Sequence, residues 1–285
     1  MHKGKYVFAQ LLDFIDKDVF LRIANKYDGN RYVKQFTCWN QLAVLMFGQL
    51  SNRESLRDVV LATQAHASKA YHLGFGRHAA KSTLADANTK RDYRIFEEFA
   101  YKVISEAQRC RIVDIFKLNG DVYAFDSTTV DLCLSTFEWA LFRKRKGGIK
   151  MHTLYDLETQ IPTFFHITPA RVHDTKAMDV IPYEENSFYI FDRGYNDFKP
   201  MKWKHRFPPE SGIQSDAVVY MAGQLTMEKY PDKIRRVLYL NKESKKKFIF
   251  FTNALTISSV MVAGPYHNRW QIELFFYDKY IIMQS

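Results

Sequence analysis

The apolar pattern of this 285-residue chain changes period once, near Asn119-Gly120, and one kind of structural layer cannot satisfy both halves. Before the change, apolar residues recur at helical spacing. Phe8, Leu11, Leu12, Ile15 and Phe20 form one stripe, and Trp39 to Leu50 reads as a dense apolar helix. Ser51-Asn-Arg-Glu54 reads as a capping box opening a helix over Leu56–Ala65. Ser82 reads as the cap of Thr83 to Arg91, and a longer helix is predicted from about Ile95 to Gln108. A Gly-containing break at Leu73-Gly-Phe-Gly-Arg77 admits a helix-turn-helix with Ser82 to Arg91 as the reading helix, although helix pairs joined by Gly turns are common in helical domains and an ordinary pair is the simpler reading.

After the change, short apolar runs dominate. Strands are predicted at Val122–Leu134, Ile149–Leu157, Pro162–Thr168 and Ser187–Phe191, with a short helix over His173–Ile181. Lys233–Leu240 and Lys247–Thr252 flank the polar turn Asn241-Lys-Glu-Ser244 as a hairpin, and the segment from about Ile257 is helical. Three strands, a helix, a strand and later helices predict an α/β sheet domain. Residues 1–118 are therefore expected to form a helical domain and residues 119–285 a sheet domain.

Apolar residues make up 47% of the chain, enough for packed cores and too many for global disorder. Lys plus Arg outnumber Asp plus Glu by 41 to 31, which favours an acidic partner, most simply nucleic acid. A mildly basic soluble protein would have the same balance. Cys38, Cys110 and Cys133 are widely spaced and form no CxxC pair, which argues against a zinc ribbon or disulfide framework and suits a reducing cytoplasm. Asp13 and Asp16 interrupt the first apolar stretch, so no signal peptide is read, and no run approaches a membrane span.

Three acids stand out. Asp126 follows Val122-Tyr-Ala-Phe125, and Asp192 follows Phe188-Tyr-Ile-Phe191 with Arg193-Gly194 behind it. Both are expected at strand ends, where an acid needs compensation by a cation, and where a cap is the structural alternative. Glu273 belongs to a predicted helix on which Tyr266, Arg269 and Glu273 fall within about 60° of one another at about 100° per residue. An Arg269–Glu273 surface pair is the structural alternative there. Three carboxylates would suit hard Mg²⁺ or Mn²⁺. They would support two-metal phosphoryl transfer, with two ions about 4 Å apart activating a water or a DNA 3′-hydroxyl. Arg269 and Tyr266 would hold a phosphate beside them. The stretch Arg143-Lys144-Arg145-Lys146-Gly-Gly-Ile-Lys150 suits a phosphate backbone, although a solvated hairpin would look similar.

Together these residues resemble the bacterial DDE transposases of insertion-sequence family four. Tyr266, Arg269 and Glu273 match the first three members of that family's Y-x2-R-x3-E-x6-K signature. Phe125-Asp-Ser-Thr-Thr129, Gly148-Ile-Lys-Met-His152, Val172-His-Asp174 and Phe191-Asp-Arg-Gly-Tyr195 look like family motifs in the family order. Asn30-Arg-Tyr-Val33, Arg53-Glu-Ser-Leu-Arg57 and Ser82-Thr-Leu-Ala-Asp-Ala-Asn88 resemble the helical domain that often precedes the catalytic core. The resemblance implies an RNase H-like core, a mixed sheet flanked by helices, with a β-rich insertion and an N-terminal helical, DNA-binding domain. It implies Asp126, Asp192 and Glu273 as catalytic metal ligands for two Mg²⁺ or Mn²⁺ ions, and Tyr266 and Arg269 as contacts to the element end. The implied reaction is cleavage at the element's terminal inverted repeats and 3′-hydroxyl transfer into target DNA, by a cytoplasmic, nucleoid-associated homodimer on paired ends.

The sequence departs from the family pattern in two places. The signature lysine position holds Tyr280, and Lys279 stands one residue early, about 100° away on a helix. The chain then stops at Ser285, which reads as a truncation. After Phe198 the prolines and charges of Lys199 to Pro209 oppose a core strand, so the insertion at about 199–255 reads as reduced. Besides an active transposase, the sequence therefore admits an inactive remnant or inhibitor that binds DNA ends. It admits less readily an RNase H-like nuclease, against which the Tyr-Arg-Glu face and the N-terminal motifs argue.

Overall fold

The structure is a computed structural model. It describes residues 6–53, 55–76, 79–110, 116, 118, 120–132, 141–143, 146–192, 201–206, 213–221, 232–241 and 245–275, with backbone alone at 131–132, 141–143, 146, 201–206, 220–221 and 267. Two compact units emerge. One holds the N-terminal helices, and the other holds every described strand and the helices that follow them.

The helical unit contains α1 (Val7–Asp13), α2 (Lys17–Lys26), α3 (Cys38–Leu50), α4 (Leu56–Ala65), α5 (Lys81–Lys90) and α6 (Arg94–Cys110). Its core is aromatic. Phe20 is fully buried, meets Phe99 edge-on at 4.9 Å and lies 5.7 Å from Trp39, so α2, α3 and α6 share one centre. Phe8, Phe47 and Phe75 form a second aromatic group in the same core. The caps differ from the sequence expectation. Ser51 closes α3, its hydroxyl donating to Phe47 O at 2.6 Å, while Ser55 caps α4 by accepting from the Asp58 N–H at 3.1 Å. Ser82 lies inside α5, whose N-cap is Ala80. The reciprocal capping box is at Thr37 and Asn40, opening α3. Both serines at 51 and 55 can cap, and only the chain path decides which one does.

In the second unit β1 (Val122–Leu132) is an inner strand of a mixed sheet. It pairs antiparallel with β3 (Lys146–Asp156) and parallel with β5 (Phe188–Phe191). β3 also pairs antiparallel with β4 (Ile161–Pro169) and with the short β2 (Leu141–Arg143). Side chains alternate along β1, so Tyr123 and Phe125 turn to one face. There they pack with Leu154, and with Ala177 and Ile181 from α7 (Thr175–Met178) and the residues after it. Gly120, at φ +150°, feeds the chain into β1. A Cβ there would stand 1.7 Å from Asn186 O, so only glycine lets this backbone and the approach to β5 come together.

The parallel pairing ends at Phe125 and Phe191, and the next residue on each strand is an aspartate. This corrects the expectation that Asp126 ends its strand. β1 continues to Leu132, and Asp126 sits opposite Thr153, where the parallel neighbour stops.

A separate antiparallel sheet has the order β6 (Met201–Arg206), β7 (Ile213–Met221), β8 (Ile234–Leu240), β9 (Lys247–Thr252). The β8–β9 hairpin is as expected. Lys199 to Arg206, read as opposing a core strand, supplies β6, which pairs with β7 and lies at the edge of this sheet, where charges are tolerated. β7 was not anticipated, because its Ser215-Asp216 step interrupts the apolar alternation. Asp216 is in fact buried, and Arg235 of β8 grips it through two bonds at 2.8 and 2.5 Å. α8 (Ser259–His267) packs Val262, Ala263 and Tyr266 on Ile213, Val237 and Phe250 of this sheet.

Among the described residues, no helix is long and apolar enough to cross a membrane.

Candidate functional site

The sequence predicts one helix carrying Tyr266, Arg269 and Glu273. The structure breaks it. α8 ends at His267, after Pro265 has removed a backbone donor from its last turns. Asn268 and Arg269 form a turn closed by tight bonds, Asn268 N–H to Pro265 O and Arg269 N–H to Tyr266 O, both 3.1 Å. Residues 270–275 are again helical. The three side chains nonetheless remain neighbours. Arg269 Cζ lies 5.7 Å from the Tyr266 ring centre, and Arg269 Nη2 donates to Glu273 Oε1 at 2.6 Å. Ile272 is fully buried while Trp270 and Leu274 are half exposed, so this segment packs on one side only.

Arg269 is the hub of the site. Its Nη1 donates to Asp126 Oδ2 at 3.2 Å, and its Nη2 lies 3.8 Å from Asp192 Oδ2 and 2.6 Å from Glu273 Oε1. Three acids from β1, from the end of β5 and from the 270–275 helix thus converge on one guanidinium. The Arg269 side chain is only 13% exposed, Asp126 is 19% exposed, and Asp192 and Glu273 are near half. Burial raises the Asp126 carboxyl above the usual carboxylate range, opposed by the Ser127 N–H and the Arg269 charge. Burial also works against the Arg269 charge, but Glu273, Asp126 and Asp192 outweigh it and hold the guanidinium above its ordinary value. Arg269 Nε has no hydrogen-bond partner among the described residues.

All three carboxylates are hard oxygen donors, and Asp126 and Asp192 each follow the last pair of the parallel register, Phe125 and Phe191. That donor set fits Mg²⁺ or Mn²⁺. Among the described residues no three acidic, imidazole or thiol groups are close enough to hold an ion together, and Arg269 lies between the acids.

The other expected site residues are placed differently. Tyr266 has its ring 4.5 Å from that of Phe250, so it is built into the α8 contact with the antiparallel sheet. Lys150 donates to Asp174 Oδ1 at 2.9 Å and to Val172 O at 3.2 Å, with 17% of its side chain exposed. Lys144, Arg145 and Lys279 lie outside the described residues, and Arg143 and Lys146 are described in backbone alone. Two residues in these surroundings had not been singled out. Asp174 binds Lys150, and Ser127 donates both to Asp174 and, through its N–H, to Asp126. Their only sequence signal was membership of the Val172-His-Asp174 and Phe125-Asp-Ser strings.

Comparison with known families identifies the two parts of the chain. Residues 117–278, more than half of the chain, match the Transposase DDE domain, and residues 3–76 match a domain of unknown function, DUF4372. The chain belongs to the DDE transposase family, and its mixed sheet with flanking helices is RNase H-like. Asp126, Asp192 and Glu273 all lie within the matched segment.

Among individual relatives, the y4zB protein of Sinorhizobium fredii, which bears a transposase's name, is 28% identical over 221 residues, 68% of this chain and 60% of its own length. A Geobacillus stearothermophilus protein, named as the transposase for insertion sequence element IS5377, is 22% identical over 216 residues, 68% of this chain and 57% of its own length. The chain thus spans less than two thirds of these relatives.

Proposed function

We propose that this chain acts on DNA as an insertion-sequence transposase of the Tyr-Arg-Glu signature type, with Asp126, Asp192 and Glu273 as its catalytic carboxylates. The observation that carries the reading is the convergence of these three acids, drawn from three separate elements, on Arg269. Gathering three acids, one of them largely buried, opposes folding, so an arrangement that brings them together needs a cationic occupant or a chemical purpose. The acids would hold two divalent ions, which when bound supply a lowered pKa for an attacking water or 3′-hydroxyl and stabilisation of the leaving oxygen.

The protein's own groups account for the rest. Arg269 presents a planar fork of donors, matched to a phosphate as well as to carboxylates. Tyr266 braces it from the sheet side, and Glu273 orients it from the following turn. The basic residues Arg143 to Lys146 and the helical domain of residues 1–118 would add DNA-backbone contacts, which favour binding at low salt. The substrate in this reading is double-stranded DNA at the element's inverted repeats and at the target, bound by a homodimer on paired ends.

The test is strand cleavage of an element-end duplex with Mg²⁺, using Asp192→Ala as control. Metal-dependent cleavage that Asp192→Ala abolishes is expected. Cleavage undiminished in Asp192→Ala refutes the assignment of the three acids. A folded protein that binds ends without cutting them identifies an end-binding inhibitor instead.

A further inference from the structure

We propose that Ser127, Lys150 and Asp174 form a positioning network that aims the Asp126 carboxylate from the opposite face of the sheet. The proposal rests on the reading of Asp126 as a metal ligand.

The strand geometry sets it up. Successive residues of β1 face opposite ways, so Asp126 turns to the Arg269 side while Ser127 turns to the α7 side with Phe125. The two are joined by one bond, Ser127 N–H to Asp126 Oδ1 at 2.8 Å. The Ser127 hydroxyl in turn donates to Asp174 Oδ1 at 3.2 Å. Lys150 donates to the same oxygen at 2.9 Å and to Val172 O at 3.2 Å. Lys150 is opposite Thr129 across the β1–β3 register, and Asp174 immediately precedes α7. A chain of hydrogen bonds, with the Asp174 carboxylate accepting from both sides, therefore runs from β3, through the loop before α7, to the backbone beside Asp126.

Two further observations separate this network from an ordinary surface pair. Lys150 and Asp174 are 17% and 30% exposed, so the pair is mostly removed from water. Such a pair gains little over well-packed apolar side chains, and its presence under a catalytic strand calls for a role beyond stability. Below it, His152 is fully buried, bonded through Nε2 to Thr168 Oγ1 at 2.9 Å, and stacked on Phe125. The polar groups thus rest on a packed floor and cannot follow a drifting Asp126.

Lys150, a sequence candidate for touching DNA, acts in this view through Asp126. Groups that orient a metal ligand typically change metal affinity about ten- to a hundredfold when removed.

The experiment is Mn²⁺ binding to the DNA-free full chain, followed by electron paramagnetic resonance, with folding checked by circular dichroism. Lys150→Met and Asp174→Asn are expected to weaken binding about ten- to a hundredfold, and Ser127→Ala by several-fold. Lys150→Arg is expected to recover part of the loss. Cleavage by these variants is expected to approach the wild-type rate as Mn²⁺ is raised. Ser127→Ala removes a single hydroxyl and keeps the test open if Asp174→Asn fails to fold. Asp126→Ala that weakens binding while folded Lys150→Met and Ser127→Ala do not overturns the network alone. Binding indifferent to Asp126→Ala overturns the metal reading and the network with it.

Discussion

Replacing Asp216 by Asn gives the sharpest test of how the antiparallel sheet supports the site. Asp216 and Arg235 have side chains 0% and 4% exposed, and two charge-assisted bonds at 2.8 and 2.5 Å join them. Arg235 Nη1 also donates to the carbonyls of Leu255 and Ile257, just before α8. The substitution keeps the volume of residue 216 but leaves a guanidinium buried without its counter-charge. Removing one partner of a buried pair costs about 3–5 kcal/mol. In a unit the size of residues 112–274, each kcal/mol shifts the melting temperature by about 2–4 °C, so a fall of about 6–20 °C is expected. Because Arg235 holds the chain where it enters α8, cleavage should weaken before global melting. Scanning calorimetry on wild type, Asp216→Asn and the double variant Asp216→Leu/Arg235→Met measures the effect. The double variant removes both charges, leaving the Leu255 and Ile257 carbonyls without their donor, and is expected to be more stable than Asp216→Asn though below wild type. A loss below about 1 kcal/mol in Asp216→Asn, as for a solvated pair, would refute the argument. So would a double variant as unstable as the single one.

Three other perturbations follow from the same geometry. Burial pushes the His152 imidazole down to about 4, opposed only in part by Asp174, so the folded state resists a proton that the unfolded chain accepts near pH 6.5. The stability is present above pH 6.5 and lost as pH falls toward 4, by roughly 3 kcal/mol, and His152→Gln, measured by urea unfolding across that window, should flatten the loss. Gly120→Ala forces a Cβ onto Asn186 O and should part β1 from β5 near Asp126 and Asp192, giving a drop of several °C in melting temperature and lost cleavage, whereas an unchanged melting temperature would contradict the close approach. Arg269→Met removes the cation shared by three acids, two of them half exposed, so a loss of about 2 kcal/mol is expected, and denaturant unfolding indistinguishable from wild type would show that Arg269 does not hold them.

Much of the architecture is written in local pattern. The strands 122–132, 146–156, 161–169 and 188–191, the β8–β9 hairpin and the helices over 38–50, 56–65 and 94–110 follow from apolar period and turn residues, which act within a few neighbours. The three acids were also visible, as charges in or beside apolar runs. Other features were not legible, because they depend on partners far along the chain. Two serines four residues apart could each cap a helix, and the path around Ser51 assigned α4 to Ser55. β7 was hidden because its buried Asp216 looks like a surface residue until Arg235 is placed beside it. Lys150 reads as one more cation of a basic loop, and only the sheet register brings it to Asp174.

Arg269 shows the division most clearly. Its spacing from Tyr266 and Glu273 is a property of the sequence, and local geometry keeps the three together even though the helix breaks between them. Its contact with Asp126 crosses 143 positions, and its approach to Asp192 depends on β5 pairing in parallel with β1 and stopping at Phe191. Composition and period act through the nearest few residues, so they settle which segments are helix or strand and which residues carry charge. Which charges meet is decided by register and burial, since a carboxylate far from water takes whatever cation the folded chain delivers to it.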